Sequence, residues 1–236
     1  MTRFLFLPLA LISWACTVPG SSGDSEQARP GNGAPPAATA PAVPDDRPVV
    51  VFLGTSLTAG LGLPADEDTY VARVAELADS AGTPIRAVNA GVSGETSAGG
   101  LRRLDWVLRE PLDVLVLELG ANDGLRGQDP FALADNLTQI VRRTRARYPE
   151  ARIVLAGMEA PPNLGLMYTG AFHQVYPTVA SSEGTALIPF LLDGVAGIPA
   201  LNQNDGIHPT PEGHRLLARN VWTVLGPLLT ELGATP

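Results

Sequence analysis

The sequence predicts an α/β protein, a three-layer α/β/α sandwich with about five parallel strands. Short apolar runs recur along the chain without the polar alternation of half-exposed strands, which indicates parallel strands buried on both faces. Longer segments that suit helices separate these runs, so strands and helices alternate. At 236 residues and 45% hydrophobic content, the chain can bury one substantial core, which favours a single domain.

The predicted elements follow one another in a regular order. The strands cover residues 49–53, 85–89, 113–119, 152–157 and 185–189. The helices cover residues 69–81, 99–109, 130–148, 165–181 and 211–232. The last helix begins at Thr210 and Pro211, because threonine is a favoured cap and proline is favoured at the first helical position.

The first 47 residues differ in composition from the rest of the chain. Arg3 supplies a positive charge before an apolar stretch, residues 4–15, which is shorter than the ~20 residues that span a bilayer. We therefore expect residues 1–16 to be a signal segment for export. Residues 17–47 are rich in Gly, Pro, Ala and Ser and predict a disordered tether, which leaves residues 48–236 as the folded domain.

Cys16 is the only cysteine, and it stands at the end of this signal segment. An exported protein with one cysteine cannot form an internal disulfide, so we expect Cys16 to be the lipidated first residue of a mature lipoprotein. The preceding residues resemble a bacterial lipobox loosely: Ala15 fits, but an aliphatic residue is expected where Ser13 stands. The expected location is the periplasm or cell envelope, with plain cleavage and secretion as the alternative.

The charge of the chain argues against one class of partner. All 16 basic residues are arginines, and 24 acidic residues give a net charge of -8. A chain this acidic is a poor binder of nucleic acid. The arginine-rich run at residues 142–147 falls on a predicted helix and is most simply a solvated face. We expect a monomer.

Three side chains predict acyl-transfer chemistry. Ser56 follows the first strand, and Asp205 and His208 lie three residues apart near the C-terminus. A serine hydroxyl needs a base within hydrogen-bond reach and a third group that fixes the tautomer of that base. In one tight loop, the Asp205 carboxylate can reach the His208 imidazole and leave its far nitrogen for Ser56. Asp205-Gly206 is also a good turn dipeptide, but a turn does not explain the histidine.

Two further segments place hydrogen-bond donors near the same edge of the sheet. Residues 88–96 and 115–124 each run from a predicted strand into a loop rich in Gly, Asn or Ser. Open α/β sheets bind ligands at the carboxyl ends of their strands. Acyl transfer needs donors there, because negative charge develops on the carbonyl oxygen in the transition state.

Four blocks in this order resemble the SGNH (GDSL-type) hydrolases, over about residues 48–232. The blocks are Gly54-Thr55-Ser56-Leu57, Gly91, Gly120-Ala121-Asn122-Asp123 and Asp205-Gly206-Ile207-His208-Pro209. Residues 120–127, 160–165 and 206–213 are similar to its branch of arylesterases and acyl-CoA thioesterase I/lysophospholipase L1 enzymes. One departure is that Thr55 stands where the family usually has Asp.

The resemblance implies a flavodoxin-like fold and a role for each matching residue. Ser56 would be the nucleophile, His208 the general base and Asp205 the group that orients it. The backbone N–H groups of Ser56 and Gly91 and the side chain of Asn122 would form the oxyanion hole. The implied activity is hydrolysis of carboxylic (aryl or acyl) esters or thioesters, on small-molecule or lipid esters and without a cofactor.

Other residues and functions stay open beside this interpretation. A carbohydrate O-deacetylase is the alternative enzyme, and a non-enzymatic envelope lipoprotein is the alternative from another class. We expect His214 to be a surface histidine and His173 to have no catalytic role, and we expect no metal, because the ligand spacing of a metal site is missing. Glu118, in an otherwise apolar strand, either supports the loops of Ser56 and Asn122 or reaches solvent at the strand end.

Overall fold

The computed structural model describes residues 45–233. The expected signal segment, Cys16 and all but the last three residues of the expected tether lie outside this range. Five parallel strands form one sheet: β1 (Val49–Gly54), β2 (Arg86–Gly91), β3 (Val114–Glu118), β4 (Arg152–Ala156) and β5 (Ala186–Ile188). The predicted α/β class and parallel five-stranded sheet are confirmed.

Seven α-helices connect and cover the strands in the described part of the chain. They are α1 (Ser56–Ala59), α2 (Tyr70–Ser80), α3 (Ser97–Val107), α4 (Ala121–Leu125), α5 (Pro130–Arg147), α6 (Leu166–Glu183) and α7 (Pro211–Gly233). α2 packs against α7, and α5 packs against both α3 and α6, which gives one helical layer on each face of the sheet. The short helices α1 and α4 fall where the sequence predicted only loops, because four or five residues carry no readable periodicity.

The strand order, β2-β1-β3-β4-β5, determines where a ligand can bind. The chain moves from β1 to β2 on one side, then returns to place β3 on the other side of β1. This order is the flavodoxin-like one, and it opens a crevice at the carboxyl ends of β1 and β3, where the connections diverge. The segments that carry Ser56 and Asn122 follow these two strands directly.

The core lies on both faces of the two central strands. Every residue of β3 is buried, as are residues 50–54 of β1. This explains their unbroken apolar sequences, since neither face of these strands meets water. Within residues 45–233, no helix is both long enough and apolar enough to cross a membrane.

Candidate active site

Ser56 lies at the first turn after β1. The strand ends at Gly54, and Ser56 is the first residue of α1, with 9% of its surface exposed. Its Oγ lies 2.9 Å from Nε2 of His208. Its backbone N–H has no acceptor among residues 45–233. Ser56 therefore presents a hydroxyl bonded to an imidazole beside an unoccupied backbone donor.

His208 and Asp205 come from one loop, as their spacing predicted. Nδ1 of His208 lies 2.6 Å from Oδ2 of Asp205. The other carboxylate oxygen accepts the backbone N–H groups of Ile207 and His208, at 2.9 and 3.0 Å. The side-chain hydrogen bond from His208, followed by these backbone bonds, holds the pKa of Asp205 well below its ordinary value. Asp205 is therefore a carboxylate that accepts the Nδ1 proton and leaves Nε2 to accept the Ser56 hydroxyl.

Gln203 fixes this loop against the turn that carries the serine. Its backbone N–H donates to the carbonyl of His208 at 2.7 Å. Its side-chain amide donates to the carbonyls of Leu61, at 2.8 Å, and Pro209, at 3.0 Å. The segments that carry His208 and Ser56 are thus joined by the neutral Gln203 side chain as well as by the hydrogen bond between His208 and Ser56.

Glu118, at the end of β3, accepts hydrogen bonds from the turn that carries Ser56. It is fully buried, and its carboxylate accepts the backbone N–H of Thr55 at 2.8 Å and the hydroxyl of Thr58 at 2.7 Å. The Thr55 hydroxyl donates to it as well, at 2.9 Å. The alternative in which Glu118 reaches solvent is wrong. Thr55 and Thr58 flank Ser56, so the interpretation that Glu118 supports the loop of Ser56 is confirmed.

Gly54 makes room for this contact. A Cβ at Gly54 would lie 2.0 Å from Oγ1 of Thr58 and 2.5 Å from Oε2 of Glu118. No larger residue fits without moving the carboxylate away from the turn. Thr55 stands where the resemblance expects an aspartate, and its hydroxyl donates to Glu118, whereas an aspartate there would place a second carboxylate beside a buried one.

The protonation of Glu118 depends on two opposing effects. Burial raises its pKa to about 7, while hydrogen bonds from Thr55 and Thr58 act to lower it. The Thr58 hydroxyl lies 2.7 Å from the hydroxyl of Tyr70, which is also fully buried. Because Thr58 donates to the carboxylate, the Tyr70 hydroxyl is the donor in that pair.

Glu118→Gln is expected to change how stability depends on pH. The rise in pKa from 4.5 to about 7 corresponds to about 3 kcal/mol of destabilisation once the carboxyl is ionised. Because the pKa of Glu118 is raised in the folded state, its contribution to the free energy of unfolding is fully present below about pH 4.5. That contribution is lost as the pH rises through about 7. The free energy of unfolding should therefore fall between pH 5 and pH 8 in the wild type by more than it does in Glu118→Gln.

Urea unfolding at the two pH values measures this difference. Glu150→Gln is the control, because Glu150 is exposed on the surface. An equal pH dependence in the wild type and Glu118→Gln would show that Glu118 does not titrate in this range.

Asn122 and Gly91 were both expected to donate hydrogen bonds in the oxyanion hole. Of these two, only Asn122 has an N–H without an acceptor among residues 45–233. Asn122 lies in α4, and one N–H of its side chain donates to the carbonyl of Glu95 at 2.9 Å. The other N–H has no acceptor in the described part of the chain, so it is available to a ligand. Gly91, in contrast, already donates its backbone N–H to Oδ1 of Asn89 at 3.0 Å.

Gly91 also has a packing role, and the neighbouring Gly94 has a free backbone N–H. A Cβ at Gly91 would lie 2.2 Å from the backbone N of Ala59, so only glycine lets α1 approach β2 this closely. Gly94 lies at an exposed turn with φ of +77°, and its N–H has no acceptor among residues 45–233. Sequence reasoning did not consider the N–H of Gly94, because it took Gly91, the first glycine after the predicted strand at residues 85–89. The Ser93-Gly94 turn was the available signal.

One buried interaction and one half-buried ion pair hold the segments that carry these donors. Asp123, beside Asn122, accepts the backbone N–H of Ser97 at 2.9 Å and the Ser97 hydroxyl at 2.5 Å. Arg103 pairs with Glu95 at 2.6 Å and donates to the carbonyl of Ala90 at 2.7 Å. The loop after β2 and the helix after β3 are therefore tied to each other and to the sheet.

The two remaining histidines lie apart from this site. His214 was expected at the surface, and this prediction is wrong: the side chain is 1% exposed and accepts the backbone N–H of Tyr70 at 3.1 Å. Burial lowers the pKa of His214 to about 4, so it is a neutral packing residue. His173 is exposed on α6, with Nδ1 2.6 Å from Glu159. Among residues 45–233, no group of three or more His, Cys, Asp or Glu side chains is placed to hold a metal ion.

The fold and this arrangement define the class of protein. One line of hydrogen bonds joins a carboxylate, an imidazole and a hydroxyl in the crevice of a five-stranded parallel sheet. Free N–H groups lie on the neighbouring segments. An esterase-type hydrolase requires this combination. Residues 52–216 match the GDSL-like Lipase/Acylhydrolase family model, and the chain belongs to this family. The chain is an esterase-type hydrolase.

Individual relatives agree with this assignment. The chain is 45% identical to Esterase TesA of Pseudomonas aeruginosa, over 76% of this chain and 89% of that protein. It is 37% identical to Thioesterase 1/protease 1/lysophospholipase L1 of Escherichia coli, over 77% and 85% of the two chains. The crystal structure of the psychrotrophic esterase EstA from Pseudoalteromonas sp. is 32% identical, covers 77% of this chain and 98% of its own, and has a TM-score of 0.72. These similarities favour the esterase over the O-deacetylase and the non-enzymatic lipoprotein.

Proposed function

We propose that Ser56 is the nucleophile of a serine esterase that hydrolyses carboxylic esters or thioesters through an acyl-enzyme intermediate. The observation that carries this proposal is the line from Asp205 through His208 to Ser56, with both hydrogen bonds at 2.9 Å or less. The three side chains come from one chain, so a monomer suffices for the chemistry. The rates of hydrolysis of p-nitrophenyl esters of increasing acyl length test the activity and measure its chain-length preference.

In the first step, His208 Nε2 takes the Ser56 proton as Oγ attacks the ester carbonyl carbon. The resulting imidazolium is stabilised by Asp205, which remains a carboxylate throughout. As the tetrahedral intermediate collapses, the bond to the leaving group breaks and Nε2 returns its proton to the departing oxygen or sulfur. A water then attacks the acyl-enzyme through the same base, which releases the carboxylic acid and restores Ser56.

The oxyanion would form on the side away from His208, between the segments after β1, β2 and β3. The proposed donors are the N–H of Ser56, the free N–H of the Asn122 side chain and the N–H of Gly94. The resemblance implied Gly91 as a donor to the oxyanion. Its N–H could bind the oxyanion only after its hydrogen bond to the Asn89 side chain had broken. Gly94 and Asn122 are joined through Glu95, whose carbonyl holds Asn122 in place.

Asn122→Ala is expected to lower kcat by roughly 10²–10³ with little change in KM, because the donor acts mainly on charge that develops in the transition state. Steady-state kinetics on a short p-nitrophenyl ester measures both constants. Asn136→Ala is a suitable control, since Asn136 donates to Ser97 and lies one contact further from the site. A variant of Asn122 with unchanged kcat and a raised KM would make it an ordinary substrate contact.

We also propose that the enzyme is exported and carries lipid on Cys16. The support is the N-terminal sequence, with Arg3, the apolar residues 4–15 and a single cysteine placed at their end. Cys16→Ser is expected to move the protein from the membrane fraction to the soluble fraction or to block its processing. Cell fractionation with mass spectrometry of the mature N-terminus measures this, and an unmodified N-terminus in the soluble fraction of the wild type would contradict the lipid anchor.

A further inference from the structure

Arg103, on α3, contacts the ends of two strands and the loop that follows the second of them. Its guanidinium donates to the backbone carbonyl of Ala90, in β2, at 2.7 Å and to that of Gly54, at the end of β1, at 3.4 Å. Its Nε donates to both carboxylate oxygens of Glu95, at 2.9 and 2.7 Å, and its Nη2 lies 2.6 Å from the second of these oxygens. One side chain therefore joins three segments at the carboxyl edge of the sheet.

The three proposed oxyanion donors each lie next to a group that this guanidinium contacts. Ser56 follows Gly54 by two residues, and Gly94 directly precedes Glu95. The side chain of Asn122 donates to the backbone carbonyl of Glu95 at 2.9 Å. A shift of Glu95 would therefore move the Gly94 N–H through the chain and the Asn122 N–H through a hydrogen bond.

Gly99 makes room for the Glu95 carboxylate beside Arg103. It lies in the first turn of α3, where a Cβ would be 2.7 Å from Cγ of Glu95. Glycine weakens a helix relative to alanine, so its place here fits a need for close approach and not for helix stability. An alanine at this position would displace the Glu95 side chain from the guanidinium.

The contacts of Arg103 use the shape of a guanidinium as well as its charge. A planar group with five N–H donors can meet a carboxylate along one edge and a backbone carbonyl along another. The side chains of Arg103 and Glu95 are only 19% and 9% exposed, so water screens this ion pair less than it screens a surface pair. The pair is therefore suited to fix the loop after β2 against the strand ends.

We propose that Arg103 is a positioning residue for the oxyanion hole, and that it acts through Glu95. It keeps the donors of Gly94 and Asn122 at the distance from Ser56 that the transition state requires. This inference rests on the proposed function, because it concerns the donors proposed there. Negative charge develops on the ester carbonyl oxygen only as the reaction proceeds, so loss of this positioning slows the chemical step more than it weakens ester binding.

Steady-state kinetics of the full chain on a short p-nitrophenyl ester tests this role. Arg103→Met is expected to lower kcat roughly 10- to 100-fold with little change in KM, because misplaced donors stabilise the transition state less. Arg73→Met is the matched control. Arg73, on α2, is 23% exposed and pairs with Asp68 at 2.9 Å, so its loss removes a similar ion pair and should leave kcat unchanged. Urea unfolding compares the stability of the two variants.

The double variant Glu95→Gln, Arg103→Met keeps the test valid if Arg103→Met alone does not fold. It leaves no unpaired carboxylate, and it keeps the backbone carbonyl that accepts the Asn122 side chain. The same fall in kcat is expected.

A double-mutant cycle with Asn122→Ala shows whether Arg103 acts through the donors. Arg103→Met should lower kcat by a smaller factor in the Asn122→Ala protein than in the wild type, because one donor that it positions is already absent. A residue that served only the overall stability of the fold would not show this dependence on Asn122.

Three results would overturn the proposal. The first is a wild-type kcat in a folded Glu95→Gln, Arg103→Met protein. The second is an equal factor of loss from Arg103→Met in the wild type and in the Asn122→Ala protein. The third is an equal fall of kcat in Arg73→Met. Absence of ester hydrolysis by the wild type would instead overturn the proposed function and this inference with it, so the activity of the wild type distinguishes the two failures.

Discussion

Ser56→Ala is expected to lower kcat for ester hydrolysis by up to about 10⁶, because it removes the proposed attacking oxygen, which His208 and Asp205 cannot replace. The loss should leave the fold intact, since Ser56 contributes one hydroxyl whose partner, His208, lies on a loop that Gln203 also fixes. Hydrolysis of p-nitrophenyl acetate measures the loss of activity. Thermal melting followed by circular dichroism shows whether the same protein is folded.

Ser80→Ala is the matched control for this variant. Ser80 lies at the far end of α2 and donates only to the carbonyl of Glu76, so its loss should leave kcat unchanged. Retention of more than a few per cent of wild-type activity by a folded Ser56→Ala protein would contradict the assignment of the nucleophile.

Asp205→Asn is expected to lower kcat by about 10⁴, and the reason is the tautomer of His208. The carboxylate accepts the Nδ1 proton at 2.6 Å, which leaves Nε2 free to accept the serine proton. An asparagine turned to donate its N–H toward Nδ1 would move the proton to Nε2, where it blocks the base. Asp205→Ala should be no more harmful than Asp205→Asn, because water can then accept the Nδ1 proton at this exposed position.

The kcat values of the two Asp205 variants, compared with that of Asp193→Asn, measure this effect. Asp193 is a second exposed carboxylate between β5 and α7, and its loss should leave kcat near the wild-type value. A folded Asp205→Asn protein with more than a tenth of the wild-type kcat would show that Asp205 does not control the tautomer.

The sequence predicts those parts of the fold and site that depend on local pattern. Unbroken apolar runs identified the parallel strands, since a strand buried on both faces has no polar alternation. The spacing of Asp205 and His208 predicted their contact, because three residues in one turn bring the two side chains together without help from the rest of the chain. The contact of Ser56 with His208 joins residues 152 positions apart, and the family resemblance supplied it in advance.

The features that the sequence did not predict depend on contacts between distant segments. His214 is buried because α7 packs on α2, where Tyr70 donates to it, and a histidine in a helix carries no sign of that neighbour. Gly91 and Gly94 differ in whether their backbone N–H is free, because the Asn89 side chain turns back onto the first of them. Such a turn depends on the backbone geometry at the end of β2, which the residue types alone do not specify.

The measurement that tests the central claim most directly is the mass of the protein after reaction with a p-nitrophenyl alkylphosphonate, which a serine activated by His208 attacks at phosphorus with loss of nitrophenolate. A solved relative, the EstA esterase, is described as inhibited by monoethylphosphonate. We expect one phosphonyl group per chain, located on Ser56 by peptide mapping, with complete loss of ester hydrolysis and no adduct in Ser56→Ala. An adduct on another residue, or the same phosphonyl adduct in Ser56→Ala, would contradict Ser56 as the nucleophile.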